Sequence, residues 1–217
     1  MFEYGHPRLE ELHREATATA VQRSDETTVL VAPTWGADSI FNRVGAALLQ
    51  TLLEAGMRVI MRPHYQTRRQ SPEVIDALLE QFSAHQRFEY VDRMGENASL
   101  FRSDLLVSDW SAMAIEYALA LEKPVLFIDL PRRVRNPDWQ ALGIEPIEAA
   151  IRPQVGRVLA PDRLDDAPRA VAELLRDREE FSARMRALRE RAVFNFGASV
   201  PVGAAEIARL ADEVAGG

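Results

Sequence analysis

Three short stretches carry residue types suited to handling phosphate. The first is Arg62-Pro63-His64-Tyr65, with Arg68 and Arg69 close behind. A guanidinium is a permanently charged fork that matches phosphate oxygens. An imidazole can donate to such an oxygen or move a proton near neutral pH. A backbone-bonded loop histidine and a solvated arginine face are the plainer readings of the same residues. The second stretch is Ser108-Asp109-Trp110-Ser111-Ala112-Met113-Ala114-Ile115-Glu116. A helix that begins at about Ser111 offers its first N–H groups to an outside partner, because nothing within the helix can accept them. With the helix dipole they form an anion site, which small Ala112 leaves approachable. Glu116, just over one turn further on, can accept from two ribose hydroxyls. The plainer reading has Ser111 as an ordinary N-cap and Glu116 in solvent. The third stretch is Pro33-Thr34-Trp35-Gly36, which supplies a hydroxyl, a residue that permits a tight turn, and an indole that packs or walls a pocket.

Elements that bring these stretches together are legible in the pattern of apolar runs. Thr27 to Ala32, Met57 to Met61, Phe88 to Val91, Asp104 to Val107, Pro124 to Ile128 and Gly156 to Ala160 are short runs without polar alternation. They read as strands buried on both faces. Helical spacing lies between them: Ile40 to Ala55 (with Ile40, Val44, Ala47, Leu48 and Leu52 on one stripe and Gly56 as the stop), Pro72 to Phe82 behind Ser71, Asn97 to Arg102, and Ala112 to Leu121. Leu164 to Leu175, Arg178 to Val193 and Gly203 to Val214 read as three closing helices. The alternation predicts an α/β fold, a Rossmann-like parallel sheet with helices on both faces. Residues 1–26 read as a lead-in helix and linker, with Arg23-Ser24-Asp25 entering the sheet. Residues 27–195 read as the binding domain, and residues 196–217 as a C-terminal helix packing back. Ligands of such sheets bind beyond the carboxyl ends of the strands, and all three stretches fall at such ends.

Other chemistries are narrowed by what the chain contains. The absence of cysteine excludes disulfides, thiolate metal sites and cysteine nucleophiles. His6, His13 and His85 have no metal-ligand spacing. Neither GxGxxG nor a Walker loop is present. Ser108-Asp109 with His64 would suit a hydrolase triad, but there is no GxSxG elbow. A net charge of -7 argues against nucleic-acid binding. No apolar run approaches the ~20 residues of a membrane span, and the first residues lack the pattern of a signal peptide. A cytoplasmic chain, in solution or peripheral at the inner face of the membrane, is expected. Arg132, Arg133 and Arg135 follow the fifth strand and offer either a solvated loop or a contact for an anionic acceptor or membrane surface.

Taken together, the three stretches resemble the CDP-glycerol glycerophosphotransferase family. Ala32-Pro33-Thr34-Trp35 is similar to its APTW stretch, Arg62-Pro63-His64-Tyr65 to its basic-x-His motif, and Ser108 to Ala112 with Glu116 and Lys123-Pro124-Val125-Leu126-Phe127 to its TDYSS…D…KP segment. Gly5-His6-Pro7-Arg8 and Asn195-Phe196-Gly197-Ala198-Ser199 are weaker echoes of its G-x-P-R and D-G-x-A stretches. Trp110, Ala112, Glu116 and Asn195-Phe196 depart from the family pattern. The resemblance implies one lobe of a GT-B fold, the second lobe, which holds a CDP-activated donor. It implies a donor set of Thr34, Arg62, His64, Arg69, Asp109, Ser111, Ala112, Met113 and Glu116. Within that set Ser111 and the following amides take the pyrophosphate and Glu116 the ribose. His64, the expected catalytic residue, and Arg62 stabilise the leaving CDP. No metal or other cofactor is implied. The partners implied are a nucleotide donor, a polymer or lipid-linked acceptor, and a first lobe that this chain lacks, which makes it an excised domain or half of a split enzyme, inactive alone. Two other classes remain open: a GT-B lobe for a different nucleotide sugar, such as a capsule glycosyltransferase or UDP-sugar epimerase relative, and an inert nucleotide-binding module.

Overall fold

The computed structural model of the chain describes residues 2–20, 25–92, 95–132, 136, 138–143 and 146–216. Six strands form one sheet: β1 (Thr28–Val31), β2 (Arg58–Met61), β3 (Phe88–Tyr90), β4 (Leu105–Ser108), β5 (Val125–Ile128) and β6 (Gly156–Leu159). Their order is β3-β2-β1-β4-β5-β6, and every neighbouring pair is parallel. All carboxyl ends therefore lie at one edge. The order reverses between β1 and β4, which places the topological switch there.

Each of the six expected runs holds a strand, but the expected burial on both faces fails at the two sheet edges, where β3 is half-buried throughout and β6 is buried only at Leu159. All residues of β1, β4 and β5 are buried. Alternation along the strands feeds two cores. Val29, Val31, Val59, Met61, Leu105 and Val107 meet the helices α2 (Ile40–Arg43), α3 (Gly45–Glu54), α5 (Pro72–Phe82) and α9 (Ala167–Arg176). Leu30, Ile60, Leu106 and Phe127 meet α1 (Pro7–Ala18), α6 (Ala98–Arg102), α7 (Ala112–Leu121), α8 (Ile147–Val155) and α10 (Arg178–Ala192). A fully buried Leu, Ile or Val contributes about 1.5–3 kcal/mol, so both faces are firmly held. At the β5–β6 junction Gly156 is required by close approach: a Cβ there would lie 1.8 Å from the Val125 carbonyl oxygen.

Several expectations are corrected. The helix expected over residues 40–55 breaks at Val44, whose φ of -141 and ψ of 9 lie outside the helical region. The break rotates the second segment, so Ala47 is exposed while Leu48, Leu49, Leu52 and Leu53 are buried. The lead-in helix α1 packs on α7, with Leu9 and Leu12 buried. Helix α4 (Tyr65–Gln70) stands where a loop was expected, and α8 has no counterpart among the expected helices. The final helix, α11 (Ser199–Gly216), packs back only at its start. Ser199 and Gly203 are buried, the latter under the Tyr4 ring, whereas Ile207 and Val214 are 71% and 84% exposed. Arg23, Ser24, Arg133 and Arg135 lie outside the described residues.

Candidate functional site

The turn from β4 into α7 is built on one carboxylate. Asp109, only 1% exposed, accepts from Thr34 N at 2.7 Å and Trp110 N at 2.8 Å through Oδ1, and from Ile40 N at 3.2 Å through Oδ2. Ser108 Oγ donates to Ala32 O at 2.9 Å. These bonds lock the loop after β1 to the loop after β4 across the switch point. Burial raises the Asp109 carboxyl above the ordinary range, and the backbone N–H groups pull it back down. Both oxygens thus accept from backbone, and Asp109 shapes the turn. Trp110 is pinned beside it by Nε1 donation to Leu130 O at 2.7 Å and by the Arg152 guanidinium 4.0 Å from its ring centroid.

Helix α7 then starts with open donors. Ser111 occupies the N-cap position, but its side chain makes no cap hydrogen bond, and Ala112 beside it is exposed. The plain capping role is therefore not the one Ser111 takes. The remainder of α7 is anchored rigidly. The Tyr117 hydroxyl lies 2.9 Å from Ser103 Oγ, and Lys123 Nζ donates to Phe101 O and Ser103 O, each at 2.7 Å. Lys123 is accordingly a cap for the end of α6. Glu122 ends α7 in the left-handed region with φ 57, a conformation costly for a non-glycine residue. Arg186 at 2.9 Å and Arg189 at 3.1 Å hold its carboxylate.

Beyond β2, His64 is the N-cap of α4 and accepts from Gln66 N at Nδ1, 3.1 Å away. Acceptance at Nδ1 leaves Nε2 to carry the proton in the neutral ring, so Nε2 is a donor. The ring stacks on Trp35 at a centroid distance of 6.1 Å, which joins the loops after β1 and β2. Arg62 is half-buried and donates to Ser99 Oγ at 3.2 Å. Burial first, and the charge of Arg8 second, push its pKa down, against the pull of Glu96.

Two residues that sequence reasoning missed complete this edge. His6 and Arg8, at the start of α1, reach the α7 side of the site. His6 Nε2 lies 3.9 Å from Glu116 Oε1. Glu116 does not face solvent: its side chain is 23% exposed and forms a wall, with His6, Leu9, Ala112, Ile115 and Leu119, of a cavity of about 240 Å³. Burial raises the Glu116 carboxyl, while His6 and Arg8 draw it down. A raised folded-state pKa means that the stability contribution is full below the unfolded value of about 4.3 and is lost as pH rises through the folded value. Glu116→Gln is therefore expected to melt at a higher temperature than the parent at pH 7, with the difference closing below about pH 4. Thermal unfolding at the two pH values checks this; a variant less stable at pH 7 contradicts it.

Arg69 is exposed on α4, and its neighbour Arg68 pairs with Asp76, so neither is drawn into the edge by a contact of the fold. Met113 is half-buried in the first turn of α7. Arg132 lies 4.7 Å from the Trp110 ring centroid. A larger cavity of about 980 Å³ opens at the opposite edge, by Thr28, Arg58, Asp104, Lys123 and Arg178. Its charges are matched internally, as by Arg178 with Asp104 at 2.9 Å, and none of the three phosphate-suited stretches reaches it. Among the described residues no helix is long and apolar enough to cross a membrane.

Comparison with known proteins agrees with this architecture. None of the curated proteins matches the chain. Among solved structures, the wall teichoic acid polymerase TagF superposes with a TM-score of 0.53 at 19% identity, over 98% of this chain and 53% of that one. The UDP-GlcNAc 2-epimerase from Neisseria meningitidis, bound to UDP-GlcNAc, gives 0.60 at 12% identity, over 95% and 54%. The C-terminal CMP-Kdo binding domain of WaaA from Acinetobacter baumannii gives 0.50 at 15% identity, over 83% of this chain and 95% of that domain. These likenesses establish the fold, that of one GT-B lobe, and this chain spans about half the length of the polymerase it matches. The family is established by sequence: the profile of the CDP-glycerol:poly(glycerophosphate) glycerophosphotransferases matches residues 1–130, more than half of the 217 residues. The chain belongs to the CDP-glycerol:poly(glycerophosphate) glycerophosphotransferase family.

Proposed function

We propose that this chain is the donor-binding lobe of a transferase that moves glycerol phosphate from CDP-glycerol to an acceptor hydroxyl in the synthesis of a cell-surface polymer. The observation that carries this reading is the convergence of Arg62, His64 and the open start of α7 at the carboxyl edge of the sheet, on either side of the β1–β4 switch. In this reading the amides of Ala112 and Met113 take the diphosphate and Glu116 takes the ribose hydroxyls. Thr34 and the exposed Arg69 complete the donor set in this reading. His64 is the catalytic residue: Nε2–H donates to the phosphate oxygen on which charge grows.

The bond balance corrects one expectation. The acceptor oxygen attacks the β-phosphorus of CDP-glycerol, the bond from that phosphorus to the bridging oxygen breaks, and the glycerol phosphate leaves with the acceptor. The departing group is CMP, and CDP as leaving group does not fit this transfer. The acceptor proton passes to a base outside this lobe. Guanidinium, imidazole and helix amides meet the phosphate charge, so the reading calls for no metal. Turnover requires a first lobe, supplied by the same or a companion chain, to hold the acceptor. A cytoplasmic setting, in solution or at the inner membrane face, fits an activated-nucleotide donor.

Titration calorimetry of CDP, UDP and ADP on this chain tests the reading. CDP is expected to bind at least about tenfold tighter than either, the size of a hydrogen-bond mismatch at the base. Equal affinities remove the cytidine assignment, and a UDP preference moves the chain to the nucleotide-sugar class, as its likeness to the epimerase fold would allow. Absence of binding to all three removes the donor-lobe reading itself.

A further inference from the structure

We infer that Arg8 is a second phosphate-binding guanidinium, which forms with Arg62 a two-arginine clamp for the diphosphate of the nucleotide donor. The inference rests on the donor-lobe reading and adds a residue and a role to it. Arg8 sits in the first turn of α1, far from Arg62 in sequence, yet both are tied to one turn of chain. Arg8 Nη2 donates to Asn97 Oδ1 at 2.8 Å, and Arg62 Nη1 donates to Ser99 Oγ at 3.2 Å. Asn97 is the N-cap of α6 and Ser99 lies in its first turn. The two guanidinium groups are therefore held at adjacent points of a single support.

That arrangement is unfavourable without a ligand. The charge of Arg8 lowers the pKa of Arg62 beyond what burial does, the mark of two cations in reach of each other. The hydrogen bonds that position the pair end on an amide oxygen and a hydroxyl, which orient a guanidinium without neutralising it, and the pull of Glu96 on Arg62 is smaller than the push of Arg8. Among the described residues, the carboxylate bonded to Arg8 is Glu11, at 3.3 Å on the surface of α1. Such an exposed pair contributes little. Arg8 also acts on the far side of the site, where its charge draws down the Glu116 carboxyl. Its charge is thus felt both by the group assigned to ribose and by the group assigned to phosphate, the two ends a nucleoside diphosphate must span. Arginine forks bind phosphate in two-point fashion, and a diphosphate brings enough negative charge for both.

The test compares CDP by calorimetry with cytidine by NMR titration, which reads millimolar binding, on the wild-type chain, Arg8→Gln and Arg8→Lys. Arg8→Gln is expected to weaken CDP roughly tenfold, in the range of a lost charge-assisted hydrogen bond, and to leave cytidine within about twofold. Arg8→Lys, which keeps the charge but loses the fork, is expected to fall between. The melting temperature of the nucleotide-free Arg8→Gln chain should equal or exceed that of the parent, because a repulsion is removed. Unchanged CDP affinity, a parallel loss for both ligands, or a clear drop in melting temperature would each overturn the clamp. If the wild-type chain binds no CDP, the donor reading falls and the clamp with it. If it binds CDP and Arg8→Gln binds it equally well, only the clamp falls.

Discussion

Replacing Asp109 with alanine is expected to destabilise the chain by about 3–5 kcal/mol, as removal of an acceptor leaves buried donors unpaired at about 1–3 kcal/mol each. The carboxylate serves three backbone N–H groups from two loops, at 2.7, 2.8 and 3.2 Å, and is 1% exposed. Alanine supplies no acceptor, and the Ile40 N–H is buried while those of Thr34 and Trp110 are partly so. The cost is a large share of the 5–15 kcal/mol that typically separates folded from unfolded chains. Asp109→Asn should lie between the two, since one carbonyl oxygen can still accept while the new amide group faces other donors. Urea unfolding at pH 7 gives the free energies. A midpoint for Asp109→Ala within error of wild type would mean that the loops after β1 and β4 are held by something else. The loss is expected to reach the proposed site as well: Thr34 and the start of α7 lose their common anchor, so nucleotide affinity should fall.

The part Asp109 plays shows where sequence reading succeeds and where it stops. The central strands β1, β4 and β5 were legible because a position buried on both faces tolerates only apolar side chains, and such runs are short and unbroken. The start of α7 was legible for the same reason: a buried strand, a small polar turn and a helical pattern follow one another in the chain. Helix α4 was not, because its six residues are polar and its cap is a histidine ring, His64. Helix α8 contains Pro153, which argues against a helix when only the chain is read. The break at Val44 was hidden because apolar residues continue at helical spacing through it. Arg8 and His6 could not be assigned from spacing at all. Their place beside Arg62 and Glu116 is set by the packing of α1 on α7, a contact between segments about a hundred residues apart. The one signal available was the weak echo at Gly5-His6-Pro7-Arg8. Gly5 has φ 118, and a Cβ there would fall 2.4 Å from Ser199 Cβ, so this glycine lets the chain pass against α11 and deliver His6 and Arg8 to the edge.

Arg62→Met is expected to separate binding from stability. Arg62 is half-buried, and burial lowers its pKa, so the fold bears a cost for keeping a charge there. Methionine preserves much of the aliphatic stem and packs adaptably. The charge and its repulsion from Arg8 are removed, at the loss of a hydrogen bond to Ser99 Oγ and of the weaker attraction to Glu96. The nucleotide-free variant should therefore be as stable as the parent or more so. CDP affinity, in contrast, should fall about a hundredfold, since hydrogen bonds to charged groups are worth about 1.5–3 kcal/mol each and 1.4 kcal/mol is a factor of ten. The salt dependence of CDP binding should flatten at the same time, because one cation fewer faces the diphosphate. An arginine kept for packing alone gives the opposite pattern: a lower melting temperature, with affinity and salt dependence little changed. That result would leave the open start of α7 as an anion site without its guanidinium partner, and the phosphate assignment of the whole edge would have to be withdrawn.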